Sequence, residues 1–465
     1  MKTTKLFFMA ALALMTAACS NDDNDLTTQQ PQKAEGITIT AQLAPKTNGA
    51  TTRAVSEGTN KIVSEWAENE HVAVLYEVSS TKYVADATIT AVDGDGTATI
   101  TFTVEAGTPD NTACTLVYPY SAAKDDHTGV KDAATLLAAQ DGTLSANLDV
   151  RVGEGTIYTT TPGLTVTSQP AAQFAIWKLT LANNAKNLCI MADDITIAGA
   201  TIGTEGKVFT VAVPAVSSKT VTIVANNASN NCYYYSKAGV SLAAGRYYQS
   251  SPSMTALDED NSKPLYKITA TSDVSIPSGG KTVVLSGVNI SSGEIVCEGS
   301  VTMILMGANT VTATATGEKA AIKIGGSGTT LTITGSGSLT AQGGSGSGIG
   351  GGAGIGMDYT NNGTLSGGNI VINGGTVIAT GGMGAAGIGT GVSLGNNASN
   401  ECGAITIGTG VISVTATKGE YSPNSIGKGD AEDGTQTCGT ITIGGDATTY
   451  ATGVTTSPFT YPTAP

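Results

Sequence analysis

The first strong pattern along the chain is alternation. Ile37, Ile39, Ala41 and Leu43 take turns with Thr38, Thr40 and Gln42. A period of two puts the apolar side chains on one side of an extended chain, which predicts a strand with one buried face. The same pattern predicts strands over Val72–Val78, Tyr83–Ala91, Thr97–Glu105 and Cys114–Tyr118. Val92-Asp93-Gly94-Asp95-Gly96 has the turn chemistry of a hairpin. Lys131–Gln140 predicts a short helix. Strands resume at Phe174–Leu181, Leu188–Met191, Ile195–Ile197, Lys207–Val213 and Thr220–Ala225. The Pro-bearing stretch Thr159–Pro170 predicts a break between two successive β-sandwiches.

Gln249–Pro264 combines Pro, Ser and an acidic cluster without hydrophobic periodicity and reads as a linker. Beyond it the pattern repeats. Leu331-Thr332-Ile333, Ile370-Val371-Ile372, Ile405-Thr406-Ile407 and Ile441-Thr442-Ile443 recur at spacings of 39, 35 and 36 residues. A second apolar spot follows as Leu339, Val377 and Val411, and a third as Ile349, Ile388 and Ile426. Less faithful copies lie upstream, from Thr282 and Thr302. Three short strands per period, split by glycine turns, describe one coil of a parallel β-helix, or solenoid. About six coils at about 4.8 Å each make a rod near 30 Å long. A β-sandwich with glycine-rich loops is the alternative.

Composition agrees with an all-β chain. Glycine accounts for 60 of 465 residues, and charged residues are only 13%. The formal net charge of −14 leaves no basic face for phosphates, so nucleic acid is excluded as a partner.

The N-terminus reads as an export signal. Lys2 and Lys5 precede an apolar run of 13 residues, Leu6–Ala18, where a membrane span needs about 20. Thr16-Ala17-Ala18-Cys19 resembles a bacterial lipobox, with Cys19 as the lipidated residue. Thr16 stands where that pattern prefers Leu. The acidic stretch Ser20–Asp25 resembles the surface-export signal of lipoproteins of the Bacteroides group. The expected organisation is therefore a signal peptide (1–18), a lipid-anchored acidic tether (19–35) and a first sandwich (36–160). A second sandwich (161–250), a linker (251–264) and a solenoid (265–455) follow.

Four strings resemble the fimbrillin family of Bacteroidetes pilus proteins: Thr52–Gly58, Thr115–Ala123, Gln173–Leu181 and Ala243–Ser251. Their order and spacing carry the resemblance over about Met1–Met254. It implies two transthyretin-like β-sandwich subdomains, an outer-membrane location at the cell surface, and partners that are other pilus subunits joined by donor-strand exchange. It also implies cleavage by an Arg-specific protease between Arg53 and Ala54, which removes the first strand. Arg151 and Arg246, beside strand-like or aromatic neighbours, are expected to be protected. A whole solenoid in place of a short donor strand departs from a shaft subunit and suggests a tip-like adhesin.

Catalytic signals are sparse. His71 and His127 sit in no ligand pattern, no nucleophile elbow occurs, and nothing after Arg246 is Arg. The Cys spacing is not that of a metal site, so no metal and no cofactor are expected. The chain is expected not to be an enzyme. Candidate glycan contacts lie on two insertions into the repeat: Tyr359, Asn361 and Asn362 on one, Tyr421 and Asn424 on the other. Cys402 and Cys438 hold the same repeat position and are expected to stack, reduced or as a disulfide. A surface polysaccharide-binding or polysaccharide-cleaving β-helix protein that does not polymerise is the alternative function.

Overall fold

The computed structural model describes residues 36–46, 57–58, 61–62 and 65–462, apart from 139, 144–147, 194, 315–316, 347–349, 432–433, 447–448 and 451. The described chain is all-β: two sandwich subdomains followed by a parallel solenoid.

The first seven-stranded sheet runs in the order Ile37–Leu43, Ala98–Val104, Thr81–Val92, His71–Val78, Thr112–Tyr118, Arg151–Tyr158, Gly163–Ala172. Alternate residues such as Ile39, Leu43, Ile89, Ile100 and Leu116 are fully buried in one core. The sheet curls, and Ala44 N donates to Gln169 Oε1 across the gap between its first and last strands. Gly163–Ala172 lies on the far side of the expected 160/161 boundary, yet it pairs with Arg151–Tyr158. Pro170 is accommodated because the register shifts between Val152 and Glu154, at a bulge that needs no proline N–H.

In the second subdomain the four short strands expected between Phe174 and Val213 merge into two long ones, Ala175–Ala192 and Ile195–Val213. Register shifts around Ala185 absorb the polar stretch that made them look separate. The predicted helix is shorter than Lys131–Gln140. It spans Ala133–Leu137, and Asp132 caps it by accepting from Thr135 N. The expected linker is structured too: Thr255–Ala256 pairs with Tyr233–Tyr234, and Leu257 is buried.

The solenoid has three long faces. Along the first, Leu265 pairs with Thr282, Thr282 with Thr302, Thr302 with Thr332, Thr332 with Val371, Val371 with Thr406 and Thr406 with Thr442. Successive coils therefore take 17, 20, 30, 39, 35 and 36 residues in one parallel seven-stranded sheet. On the second face Leu339, Val377 and Val414 stack, so Val414 and not Val411 holds the repeat position. Val411 is buried in the preceding turn instead. On the third face Ile322, Ile355, Ile388 and Ile426 stack, and Ile355 takes the place expected of Ile349. Ile349 lies outside the described residues. Gly356 and Gly389 follow two of these isoleucines with φ of +144° and +137°. A Cβ on Gly389 would meet Gly427 O at 2.0 Å, so only glycine lets adjacent coils approach here. Phe459–Tyr461 closes the second face by pairing antiparallel with Ser413–Thr417.

The first solenoid face packs on the second sandwich. Val284, Ile304 and Met306 point out of the solenoid yet are fully buried, against Cys189, Met191, Val224 and Cys232 of the second sheet. At about 1.5–3 kcal/mol per buried apolar side chain, this joint contributes on the order of 10 kcal/mol before ordering costs. Thr334 Oγ1 donates to Thr196 Oγ1 at 2.6 Å and Asn226 Nδ2 to Ser286 Oγ at 2.8 Å. The helix end joins as well: Thr409 Oγ1 donates to Asp132 Oδ1 at 2.7 Å.

Candidate functional site

Two regions carry the residues that the sequence singled out: the first strand with its tail, and the loops on the solenoid. Ile37–Leu43 is an edge strand, paired antiparallel with Ala98–Val104 over seven register positions. Its inward residues Ile39, Ala41 and Leu43 are buried, and Ile37 is half-buried. Cys19, Arg53 and Ala54 lie outside the described residues. Arg151 is buried at the start of its strand. Arg246, expected to be protected by its tyrosine neighbours, is exposed. It follows a turn, and what is engaged is its backbone: its carbonyl accepts from Ile176 N and its N–H donates to Ala243 O.

The tail of the first strand holds a feature that the sequence concealed. Lys46 is buried, with Nζ 4.1 Å from the Trp66 ring centroid and 4.0 Å from that of Tyr118. The rings meet edge to face at 5.2 Å, and Trp66 Nε1 donates to Ala44 O at 3.0 Å. Lys46 Nζ also lies 3.5 Å from Asp149 Oδ2 and 3.9 Å from Glu70 Oε2. Arg151 Nε sits 2.8 Å from the other Asp149 oxygen. Burial lowers the Lys46 pKa to about 8 against the pull of Asp149 and Glu70. These four charged residues come from positions 46, 70, 149 and 151, too scattered for any local motif. The one hint was a lysine at the end of a strongly alternating strand.

The loop residues divide. Tyr421 is 72% exposed and holds a positive φ of 69°. Hydrogen bonding to the Glu420 carboxylate pushes its hydroxyl pKa up. Asn361 and Asn362 are exposed. Tyr359 is only half-buried, and burial followed by the Glu318 charge raises its pKa. Asn424 does not fit a surface contact. It is buried, and its Nδ2 donates to Lys428 O at 2.9 Å, closing the turn around Ile426.

The acids near the third face are internally paired. Lys319 binds Glu294, Lys323 Nζ lies 2.6 Å from Asp358 Oδ2, and Ser275 Oγ reaches Glu298 at 2.5 Å. His71 is exposed and bonds Asp86 at 2.7 Å. Among the described residues no group of three or more His, Cys, Asp or Glu could hold a metal ion.

Cys402 and Cys438 are register partners in adjacent parallel strands, and both are free thiols. The contact between them pushes Cys402 up and lowers Cys438, and Cys438 is the less buried of the two. A groove of about 460 Å³ runs along the joint between second sandwich and solenoid. Asn187, Asn226, Asn227 and Asn230 line it on one side, Ser336 and Ser338 on the other.

No protein-family model matches the chain. No curated protein is similar to it in sequence. Solved structures similar to it over about half of its length include three. A candidate cell adhesion protein from Bacteroides fragilis is 9% identical, with a TM-score of 0.29 over 48% of this chain and 97% of its own. A second, from Bacteroides ovatus, is 13% identical, with a TM-score of 0.27 over 48% and 95%. A fimbrial protein from Bacteroides ovatus is 9% identical, with a TM-score of 0.27 over 47% of this chain and 48% of its own.

Proposed function

We propose that this chain is a fimbrillin-like adhesin of the cell surface, anchored in the outer membrane through a lipid on Cys19 and binding a glycan without cleaving it. The observation that carries this reading is the solenoid docked on the second sandwich while its loops stay free. Such a joint holds a binding surface at a fixed distance from an anchor. Tyr421 offers an exposed ring for stacking on a sugar, and Asn361 and Asn362 offer amides for its hydroxyls. Internal pairing of Glu294 and Asp358 with lysines disfavours their use as a catalytic acid and base.

The test is a glycan array probed with the full mature chain. Retention on one glycan class, weakened about tenfold or more in Tyr421→Ala, supports the reading. New reducing ends or unsaturated products in a polymer digest refute it.

Assembly with other subunits rests on the first strand. Cleavage at Arg53 would free Ile37–Leu43, and withdrawal of Ile39, Ala41 and Leu43 would expose a groove that a neighbour's strand could fill. Arg-specific digestion should then leave Ala54 as N-terminus and a product that captures strand peptides. Arg246 is the internal competitor for the protease. A surface glycan-binding protein that does not polymerise is the second reading. The observation favouring it is the buried Lys46, which ties the tail of the first strand to its own sandwich.

A further inference from the structure

We propose that Lys46 and Asp149 condense into an intramolecular amide, with Glu70 moving the proton. Three features of the site support this. Lys46 Nζ lies 3.5 Å from Asp149 Oδ2, which sets the amine beside the carboxyl it would attack, and neither side chain is exposed. The second carboxyl, Glu70, is 94% buried, lies 3.9 Å from the amine, and keeps Oε1 without a hydrogen-bond partner. Trp66 and Tyr118 enclose the site and keep water, the competing nucleophile and the reaction product, scarce.

The chemistry balances without any co-reactant. The Lys46 ammonium gives a proton to Glu70. The neutral amine attacks Cγ of Asp149, forming the C–N bond, while the carboxylate electrons move onto Oδ2. Arg151 Nε, which donates to that oxygen at 2.9 Å, holds the negative charge as it develops. Glu70 returns its proton, the amine nitrogen loses its second, and the other oxygen leaves as water. An ammonium and a carboxylate become an amide plus one water. The lowered pKa of Lys46, about 8, makes the first step easier than for an exposed lysine.

The bond would change what cleavage does. Lys46 precedes Arg53 by seven residues. A chain cut at Arg53 after the amide has formed keeps its first strand covalently attached. A chain cut before can release it. The amide and strand release exclude each other in one molecule, so the bonded chain ends a fibre and the unbonded one can join it. This last consequence rests on the assembly proposed above. The bond itself does not.

Intact mass spectrometry of the purified mature chain is the test. The amide lowers the mass by about 18 Da against the sequence. A branched peptide joining the Lys46 and Asp149 segments locates the loss and separates it from dehydration elsewhere. Lys46→Ala, Asp149→Ala and Glu70→Gln should each restore the full mass. Glu70→Gln keeps the shape of the site, so it reports on proton transfer even where the other two fold poorly. A folded wild-type chain at full mass, or a loss without the branched peptide, overturns the proposal. Failure of glycan binding or strand capture would leave the mass result unaffected.

Discussion

Gly389→Ala isolates the rule that lets the coils of the solenoid stack. A Cβ there would lie 2.0 Å from Gly427 O, 2.9 Å from its carbonyl carbon and 3.0 Å from its nitrogen. All three are backbone atoms of the next coil, so no side chain can swing away. The φ of +137° adds strain for any residue with a Cβ. Backbone strain of this kind costs about 1–3 kcal/mol, and overpacking a tight site about 1–3 kcal/mol more. Together they predict a loss of about 2–6 kcal/mol. For a domain of this size each kcal/mol moves the midpoint by about 2–4 °C, so a fall of roughly 10 °C is expected. Two controls separate the contributions. Gly445 has φ +89° and open space around its virtual Cβ, so Gly445→Ala should carry the strain alone, about 1–2 kcal/mol. Gly94 has open space and ordinary φ, so Gly94→Ala should be close to neutral. Calorimetric or urea unfolding of the mature chain ranks the three. Equal stability of Gly389→Ala and Gly94→Ala would mean that the coils are not stacked as described.

Cys402 and Cys438 should join under a mild oxidant, because adjacent strands put their Cα atoms about 5 Å apart; two thiols still titratable after oxidation would refute the register. With excess reductant removed, an alkylating agent should reach Cys438 before Cys402, as seen by peptide mapping. The Asp132 carboxyl is affected first by burial, which raises its pKa, but hydrogen bonds from Thr135 and Thr409 outweigh this and lower it overall. A depressed carboxyl stabilises above its unfolded pKa and loses that contribution as pH falls through the folded value. Asp132→Ala should therefore cost about 1 kcal/mol at neutral pH, as for a lost helix cap, and nothing once pH drops well below 4. Ile304→Asp puts a charge into the joint between solenoid and second sandwich, and protease susceptibility of the strand pair Cys232–Leu242/Thr255–Ala256 should rise. Unchanged digestion would argue that the halves do not depend on each other.

The repeat was legible because each coil buries the same inward positions, and period-two alternation survives in Leu331-Thr332-Ile333 and its copies. The upstream runs TVVLSG and TMILMG looked like degraded copies for a physical reason. Val283, Leu285, Met303 and Leu305 face the solenoid core, while Val284, Ile304 and Met306 face the second sandwich. A strand buried on both faces loses its alternation. The lost alternation was the visible trace of the joint. The third face misled because two GIG strings lie within a few residues and nothing local says which enters the stack. Neighbouring coils decide, through Ile322 and Ile388 on either side of Ile355. Asn424 looked like a loop residue by composition, yet its amide closes a turn by hydrogen bonding. The Lys46 site left almost no sequence trace, because its four charged residues meet only when the first sheet curls over its core.

If the chain is anchored and binds as proposed above, it is a tensile element held at one end and bound at the other, and this bears on the Lys46–Asp149 amide. A pull on the N-terminal tether reaches the fold first at Ile37–Leu43, the edge strand. That strand is attached along one side only, so it can peel from Ala98–Val104. Without the amide, peeling continues past Lys46 and draws out the hairpins that follow. With the amide, tension passes from Lys46 directly into Asp149, two residues before the start of Arg151–Tyr158. The chain from 46 to 149 is then bypassed. Those 103 residues would otherwise extend by about 3.4 Å each, or roughly 350 Å in all. Single-molecule pulling between residue 36 and the C-terminus should therefore give a total extension shorter by about that length in wild type than in Glu70→Gln. Equal extensions would show that the load path is not closed at this site.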